Sequence, residues 1–480
     1  MGTLKRFFQD TIIYGFATVL PRLMNFILVG LHTSALPTSS YSDNTTFYVW
    51  AAFFNVVLTF GMETSFFRFF SHSKEKDRVF STAFIALTLS TILFLIGVLV
   101  FRDFFINLVD LPSDYFYILF GILIMDTLVV VPFAYLRATN RPVKFAAIKI
   151  INIVIVVLLN FYFLWFVKEY PRFSPQIILD NYTDADKVKY IFIANLVASG
   201  VTLLMLLPYF FKSKIDFSTT LFKQMWKYGW PVMVAGIAFV INENLDKLLL
   251  KDMLSESVMG AYAGCYKLAV FMTIFVQAFK MGAEPFFFNH AQQENAKQTY
   301  AQILTYFVIF GCLIMVVLIS FIDVFKELLI RNEDYWITIS IVPIILLANL
   351  FLGIYHNLSI WYKLTDKTRM GMYISIFGAI VTIVFNFALI PVIGFIAAAW
   401  ATLAAYGGMM LISYFLGKRY YPVPYDLKKI GFYLLISIVI SAISFIYFRE
   451  NYLAGAAFVT LFLLIIAMAE RRDLKQILKK

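Results

Sequence analysis

GMETSFFRFFSH occupies residues 61–72, at the end of a long apolar run, and GAEPFFFNH, residues 282–290, repeats part of it. In each stretch a Gly is followed two residues later by a Glu and then by paired phenylalanines. Glu63 and Glu284 therefore hold matching places. Other matches keep the same order along the chain. Arg137-Ala-Thr-Asn140 pairs with Lys363-Leu-Thr-Asp366 at an offset of 226, and the same offset pairs Asn160-Phe161 with Asn386-Phe387. Tyr14-Gly15 pairs with Tyr228-Gly229. Each match alone is near chance. Together they set apolar runs 1, 2 and 5 onto runs 7, 8 and 11. The chain thus reads as two repeats of six helices, 1–214 and 215–417, followed by two further helices and a basic tail, 418–480.

Composition makes those helices membrane spans. Of 480 residues, 61% are hydrophobic and 14% charged, against roughly 25% charged in soluble domains. About 20 apolar residues suffice to cross the hydrocarbon core of a bilayer. Fourteen such runs follow one another: 10–36, 46–69, 80–101, 114–136, 145–167, 189–211, 222–241, 257–281, 299–322, 336–362, 370–391, 394–416, 429–448 and 452–469. The expected fold is an all-α polytopic membrane protein. The run 222–241 is short, and only Pro391 to Gly394 divides runs 11 and 12. The longest connection, 168–188, is too short for a soluble domain. The first run is longer than a signal-peptide core and contains Pro21 and Arg22, so it is expected as a retained helix. Myristoylation of Gly2 would want Ser or Thr at position six, where Arg6 stands.

Charge distribution orients the chain. Net charge is +11. With the N-terminus inside and fourteen spans, the inner segments hold 27 of the 40 Lys and Arg, and the outer ones 17 of the 29 Asp and Glu. Cytoplasmic loops retain such an excess of Lys and Arg. Both termini are therefore expected in the cytoplasm. Topology and contact with anionic lipids account for the basic balance, and no nucleic-acid partner is needed. Cys265 and Cys312 fall inside runs 8 and 9 and are expected as buried free thiols, with neither a disulfide nor a metal site. The four histidines, His32, His72, His290 and His356, form no metal-spaced pair. No catalytic residue and no metal ligand is expected.

Charges inside the spans single out a site. A charge at the centre of a spanning helix costs roughly 2.5–3.5 kcal/mol on insertion scales, so those that persist face a partner or a cavity. Arg22 lies mid-run 1, Asp126 mid-run 4, Lys267 near the middle of run 8, and Lys149 in the first two turns of run 5. Glu63 lies in the inner part of run 2. Arg22 and Lys267 are too deep to reach the interface easily, and Arg cannot shed its charge. Lys149 is close enough to the inner interface to snorkel, and Asp126 suits a buried partner for a cation. Because six is even, the repeats are parallel, related by an axis along the membrane normal, with a site between the halves. Cations there favour an anionic substrate, and phosphate suits Arg geometry best.

The stretch NENLDKLLLKDMLSESVMGAYAGCYKLAVFMTIFVQAFKMGAEPFFF, 242–288, resembles the polysaccharide-biosynthesis flippases of the multidrug/oligosaccharidyl-lipid/polysaccharide exporter superfamily. The resemblance rests on the Leu-Asp-Lys-Leu-Leu segment at 245–249, the Gly-x-Tyr-Ala element at 260–263, the pair Tyr266-Lys267 and the Pro285-Phe286 exit. The opening of run 7, Tyr228 to Pro231, fits as well. It implies alternating-access transport of a polyprenyl-diphosphate-linked oligosaccharide from the inner to the outer leaflet of a bacterial cytoplasmic membrane. On that reading Arg22 and Lys267 bind the diphosphate, Lys149 assists, and Asp126 tunes them or carries a proton. No cofactor is implied beyond coupling to the membrane potential, H⁺ or Na⁺. Membrane lipids and a polysaccharide polymerase or glycosyltransferase are the implied partners. The competing readings are a multidrug cation antiporter of the same superfamily and an integral-membrane glycosyltransferase or polymerase. The second lacks an external loop large enough for catalysis. Glu63 and Arg68 are five residues apart and so do not form an i,i+4 pair, whereas Lys280 and Glu284 do. Glu63, Arg68 and Glu284 are expected as an inner gate whose two stations approach when the cavity opens outward.

Overall fold

The computed structural model of the chain describes residues 20, 24, 26–211, 216–365, 367 and 369–471. These residues are helical apart from turns and short connections, with no strand among them. Twelve helical segments are long and apolar enough to cross a membrane. They coincide with twelve of the fourteen expected runs. Of the first run the helix Phe26–Ala35 is described. The seventh run is a helix of 35 residues, Thr219–Met253, which extends the run 222–241 chiefly at its C-terminal end, where Glu243, Asp246 and Lys247 stand. It is not among the apolar twelve.

The chain forms two compact units, residues 1–260 and 261–480. The first contains α1 (Phe26–Ala35), α2 (Thr38–Thr59), α3 (Met62–His72), α4 (Lys76–Val100), α5 (Arg102–Val109), α6 (Ser113–Leu128), α7 (Val130–Ala138), α8 (Pro142–Phe161), the short α9 (Val167–Glu169) and α10 (Gln176–Leu179), α11 (Lys187–Phe210) and α12 (Thr219–Met253). Helix α11 packs on α6 and α8, and α12 packs on α2, α3 and α4. The sequence repeat puts α12 at the head of the second half, yet by packing it is part of the first unit.

Local chemistry explains the breaks. Phe60 and Gly61 take left-handed backbone angles, φ 35° and 71°, which end α2 and restart the chain as α3. A Cβ on Gly61 would lie 2.4 Å from the carbonyl oxygen of Gly229, so both the conformation and the contact with α12 require glycine. The expected run 2 is thus a broken helix with Glu63 in the first turn of its second piece, where the helix dipole favours a carboxylate. Pro132 cannot donate to Leu128, and the helix of run 4 divides there into α6 and α7.

The second unit continues from α13 (Glu256–Tyr266), which crosses the division, into α14 (Val270–His290), α15 (Ala296–Ser320), α16 (Ile322–Leu329), α17 (Val342–Leu358), α18 (Ile360–Leu364), α19 (Arg369–Ile393), α20 (Ile396–Tyr420), α21 (Leu427–Tyr447) and α22 (Tyr452–Ala469). Helix α20 packs on α17 and α19, and it buries Ala397, Ala398, Ala401 and Ala405, small side chains of the kind that let helices approach closely in lipid. The repeat is visible in the elements. Eight-residue helices α5 and α16 follow α4 and α15, each a helix of 25 residues. The matched Asn160 and Asn386 are both buried, and each donates its side-chain N–H to the carbonyl four residues back, at 2.7 Å.

Helices α21 and α22, outside the repeat, pack on α15 and are held at both ends by ion pairs. Buried Asp323 of α16 accepts from Arg449 at 2.6 Å and pairs with Lys326 at 2.7 Å. Buried Glu470 accepts from Lys429 and from the Tyr433 hydroxyl, each at 2.7 Å. Cys265 and Cys312 are free and buried, as their positions in apolar runs led one to expect.

Candidate functional site

In the first unit the charged side chains gather around Glu63. Its Oε1 accepts from Arg137 Nη1 at 2.8 Å. Arg137 stands in the last turn of α7, so the pair joins a helix N-terminus to a helix C-terminus, and both dipoles favour it. The Arg137 guanidinium also lies over the Phe67 ring, 4.7 Å from its centroid. Lys149 of α8 is half-buried and lies over Phe133 at 4.4 Å, a cation–π contact of the kind worth about 0.5–2 kcal/mol. Its charged neighbours are Asp126, Glu63 and Arg137. Asp126 of α6 has the Ser199 hydroxyl and Lys149 as polar neighbours. Two expected site residues, Lys149 and Asp126, therefore come together with a third, Glu63, and with Arg137, which deep-charge reasoning passed over. Arg68 points elsewhere: it is exposed and lies over the Tyr228 ring at 4.3 Å. Arg22 falls outside the described residues.

The second unit repeats the arrangement. Glu284 Oε1 accepts from Lys363 Nζ at 2.7 Å. Glu284 matches Glu63 in the sequence repeat, and Lys363 matches Arg137. The ion pair of the first unit is thus rebuilt from the matched residues of the second. Lys280, Glu284, His356, Asn357 and Lys363 line a small pocket open to solvent, with Phe279 and other apolar residues. Asn357 is buried, and its Oδ1 has no hydrogen-bond partner among the described residues. Lys267 lies in a 3₁₀ turn, Lys267–Ala269, between α13 and α14, and is exposed. The turn breaks the helix where run 8 was expected to continue unbroken.

A further charge pair was legible only as a motif. Asp246 and Lys247, inside the Leu245–Leu249 segment of α12, are both buried, with Nζ 3.2 Å from Oδ1. Lys247 also donates to the Glu243 carbonyl oxygen. Among the described residues no group of His, Cys, Asp and Glu is arranged to hold a metal ion.

The sequence profile for the polysaccharide biosynthesis protein matches residues 7–289, more than half of the chain. The chain belongs to the polysaccharide biosynthesis protein family. A second profile, MatE, matches residues 231–388. No curated protein sequence matches. Among solved structures, the chain resembles the lipid II flippase MurJ in an inward closed conformation, with a TM-score of 0.75 and 17% identity, over 96% of this chain and 99% of that one. It also resembles an inward-facing multidrug resistance MATE family transporter, with a TM-score of 0.66 and 13% identity, over 88% of this chain and 96% of that one. An outward-facing MATE family transporter gives 0.60 and 12%, over 86% and 95%. The protein is a multi-pass membrane protein with the fold of these flippases and exporters.

Proposed function

We propose that the protein is a flippase moving a polyprenyl-diphosphate-linked oligosaccharide from the inner to the outer leaflet of a bacterial cytoplasmic membrane, with both termini in the cytoplasm. The observation that carries this reading is the polysaccharide biosynthesis match over residues 7–289. The likeness to a lipid II flippase over 96% of the chain supports it. The functional halves are 1–214 and 215–417, with 418–480 as an added hairpin and tail. Arg22, Lys267 and Lys149 hold the diphosphate, and Asp126 sets their charge balance or carries a proton. Glu63, Arg68 and Glu284 form the cytoplasmic gate. Moving a charge of about −2 outward against an inside-negative potential gains roughly 4–5 kcal/mol per 100 mV, so the potential can drive the step, with H⁺ or Na⁺ coupling as a further source. A polymerase or glycosyltransferase receives the product.

The test is to identify what accumulates in cells lacking the protein. A lipid-linked glycan retained on the inner leaflet is the expected result, with export restored by the wild-type chain and not by a double Arg22→Ala, Lys267→Ala variant. Unchanged export in the deletion overturns the reading. The MatE match at 231–388 favours drug extrusion as the second reading. Raised drug sensitivity of a pump-deficient strain on deletion, with normal glycan export, would establish it instead.

A further inference from the structure

The cavity of the second unit holds an ion pair that occupies its own cation. Lys363 of α18 enters the cavity wall with its ammonium 2.7 Å from Glu284 of α14. Both side chains retain access, at 23% and 37% exposure, so the pair can open without unfolding either helix. Lys280 and His356 stand on the same wall. Asn357 beside them is buried, with an oxygen that accepts from no described residue, although a buried carbonyl oxygen without a donor costs about 1–3 kcal/mol. Its N–H group is already committed to the Gly353 carbonyl at 3.1 Å. The cavity therefore offers cations for an anion and one acceptor in want of a donor.

We propose that this cavity binds a phosphate-type anion that carries a neighbouring hydroxyl or N–H group, and that the Glu284 carboxylate is a stand-in for that anion, holding Lys363 until the ligand displaces it. The incoming phosphate takes Lys363 and Lys280, its neighbouring donor fills the Asn357 oxygen, and the released carboxylate of Glu284 turns to water. A carboxylate that must be displaced weakens binding and eases release, which suits a carrier better than a permanent site. The matched pair Glu63–Arg137 gives the first unit the same exchangeable cation. The proposal rests on the transport reading only for the identity of the natural ligand, which is either the diphosphate of a lipid-linked glycan, held here at a station separate from Arg22, Lys267 and Lys149, or the phosphate of a membrane phospholipid.

Inorganic pyrophosphate titrated into the purified full-length chain, in nanodiscs of phosphatidylcholine, measures the site directly. Removing a competing half-exposed ion pair worth about 1 kcal/mol is expected to tighten binding roughly fivefold in Glu284→Gln. Glu284→Asp, which keeps the charge on a shorter arm, is expected to fall between the two. Adding Lys363→Ala to Glu284→Gln is expected to return affinity to the wild-type level or below. Equal or weaker binding in Glu284→Gln, or binding indifferent to Lys363, overturns the proposal. Repeating the titration in phosphatidylglycerol nanodiscs assigns the source. Suppressed pyrophosphate binding upholds the site with a phospholipid headgroup as occupant, and undiminished binding upholds it with a diphosphate. Tightened pyrophosphate binding together with unaltered glycan export by Glu284→Gln cells would uphold the cavity and tell against the glycan reading.

Discussion

Arg137 and Lys363 show how much a single position can carry. Neither is deep enough to stand out as a charge inside a span, yet each completes the ion pair of a glutamate that the repeat singles out. The signal was already present in the repeat, where the two residues match each other. At half exposure on both sides, the Glu63–Arg137 pair adds no more than about 1 kcal/mol to stability. Its deletion is expected to change thermal stability little and export substantially. Glu63→Arg should abolish export, and the double variant Glu63→Arg, Arg137→Glu should restore part of it; a double variant as inactive as the single one would show that the pair as such is dispensable. The buried Asp246–Lys247 pair is different in kind. Lys247→Met takes the ammonium away from a buried carboxylate, at an expected cost of up to 3–5 kcal/mol, readable as a fall in the melting temperature of the purified protein. Asp246→Asn in the same background should recover most of the loss.

At the scale of elements, the decisive features are the places where helices stop. The kink at Phe60–Gly61 lets α3 lean on α12, where the Ser65 hydroxyl donates to the Met225 carbonyl at 2.9 Å. At the far end of α2, a Cβ on Gly260 would fall 1.8 Å from the Thr38 carbonyl oxygen. Glycine is therefore demanded there by backbone contact alone, and Thr38 and Ser257 share a hydrogen bond of 2.6 Å beside it. The Gly-x-Tyr-Ala element thus seats the start of α13 against the start of α2. Gly229→Val is expected to cost about 1–3 kcal/mol as an overpacked contact, with reduced export, because its side chain would meet Ser65 and the Phe60 carbonyl. Unchanged melting temperature would mean that α3 and α12 separate freely.

At the scale of the molecule, the C-terminal hairpin is fastened to its unit by ions. Burial opposes the charge of Asp323, but the hydrogen bonds from Arg449 and Lys326 outweigh it and hold its carboxyl below the usual range. A carboxyl lowered on folding stabilises above its unfolded pKa, about 3.9, and loses that contribution as pH falls through its folded value. Asp323→Asn is accordingly expected to lose up to 3–5 kcal/mol at pH 7, since it strands Arg449 and Lys326. As pH falls below that unfolded value the difference from wild type should narrow. An equal difference at both pH values would show that Asp323 acts through packing and not through charge.

The sequence alone determined the all-helical membrane fold, the order of its apolar spans and the family, because lipid demands long apolar helices whose periodicity and loops are written locally. It also matched Glu63 to Glu284 and Arg137 to Lys363, without joining either glutamate to its cation. Which helix ends face each other was decided only in three dimensions. The glutamates could have paired with Arg68 and Lys280 on their own helices. Glu63 reaches to α7 and Glu284 to α18, contacts set by which helix ends the fold brings together. For the same reason α12 joins the first unit, although the repeat assigns it to the second: the notch between Gly61 and Gly229 is a contact across some 170 residues of chain, which no local pattern encodes.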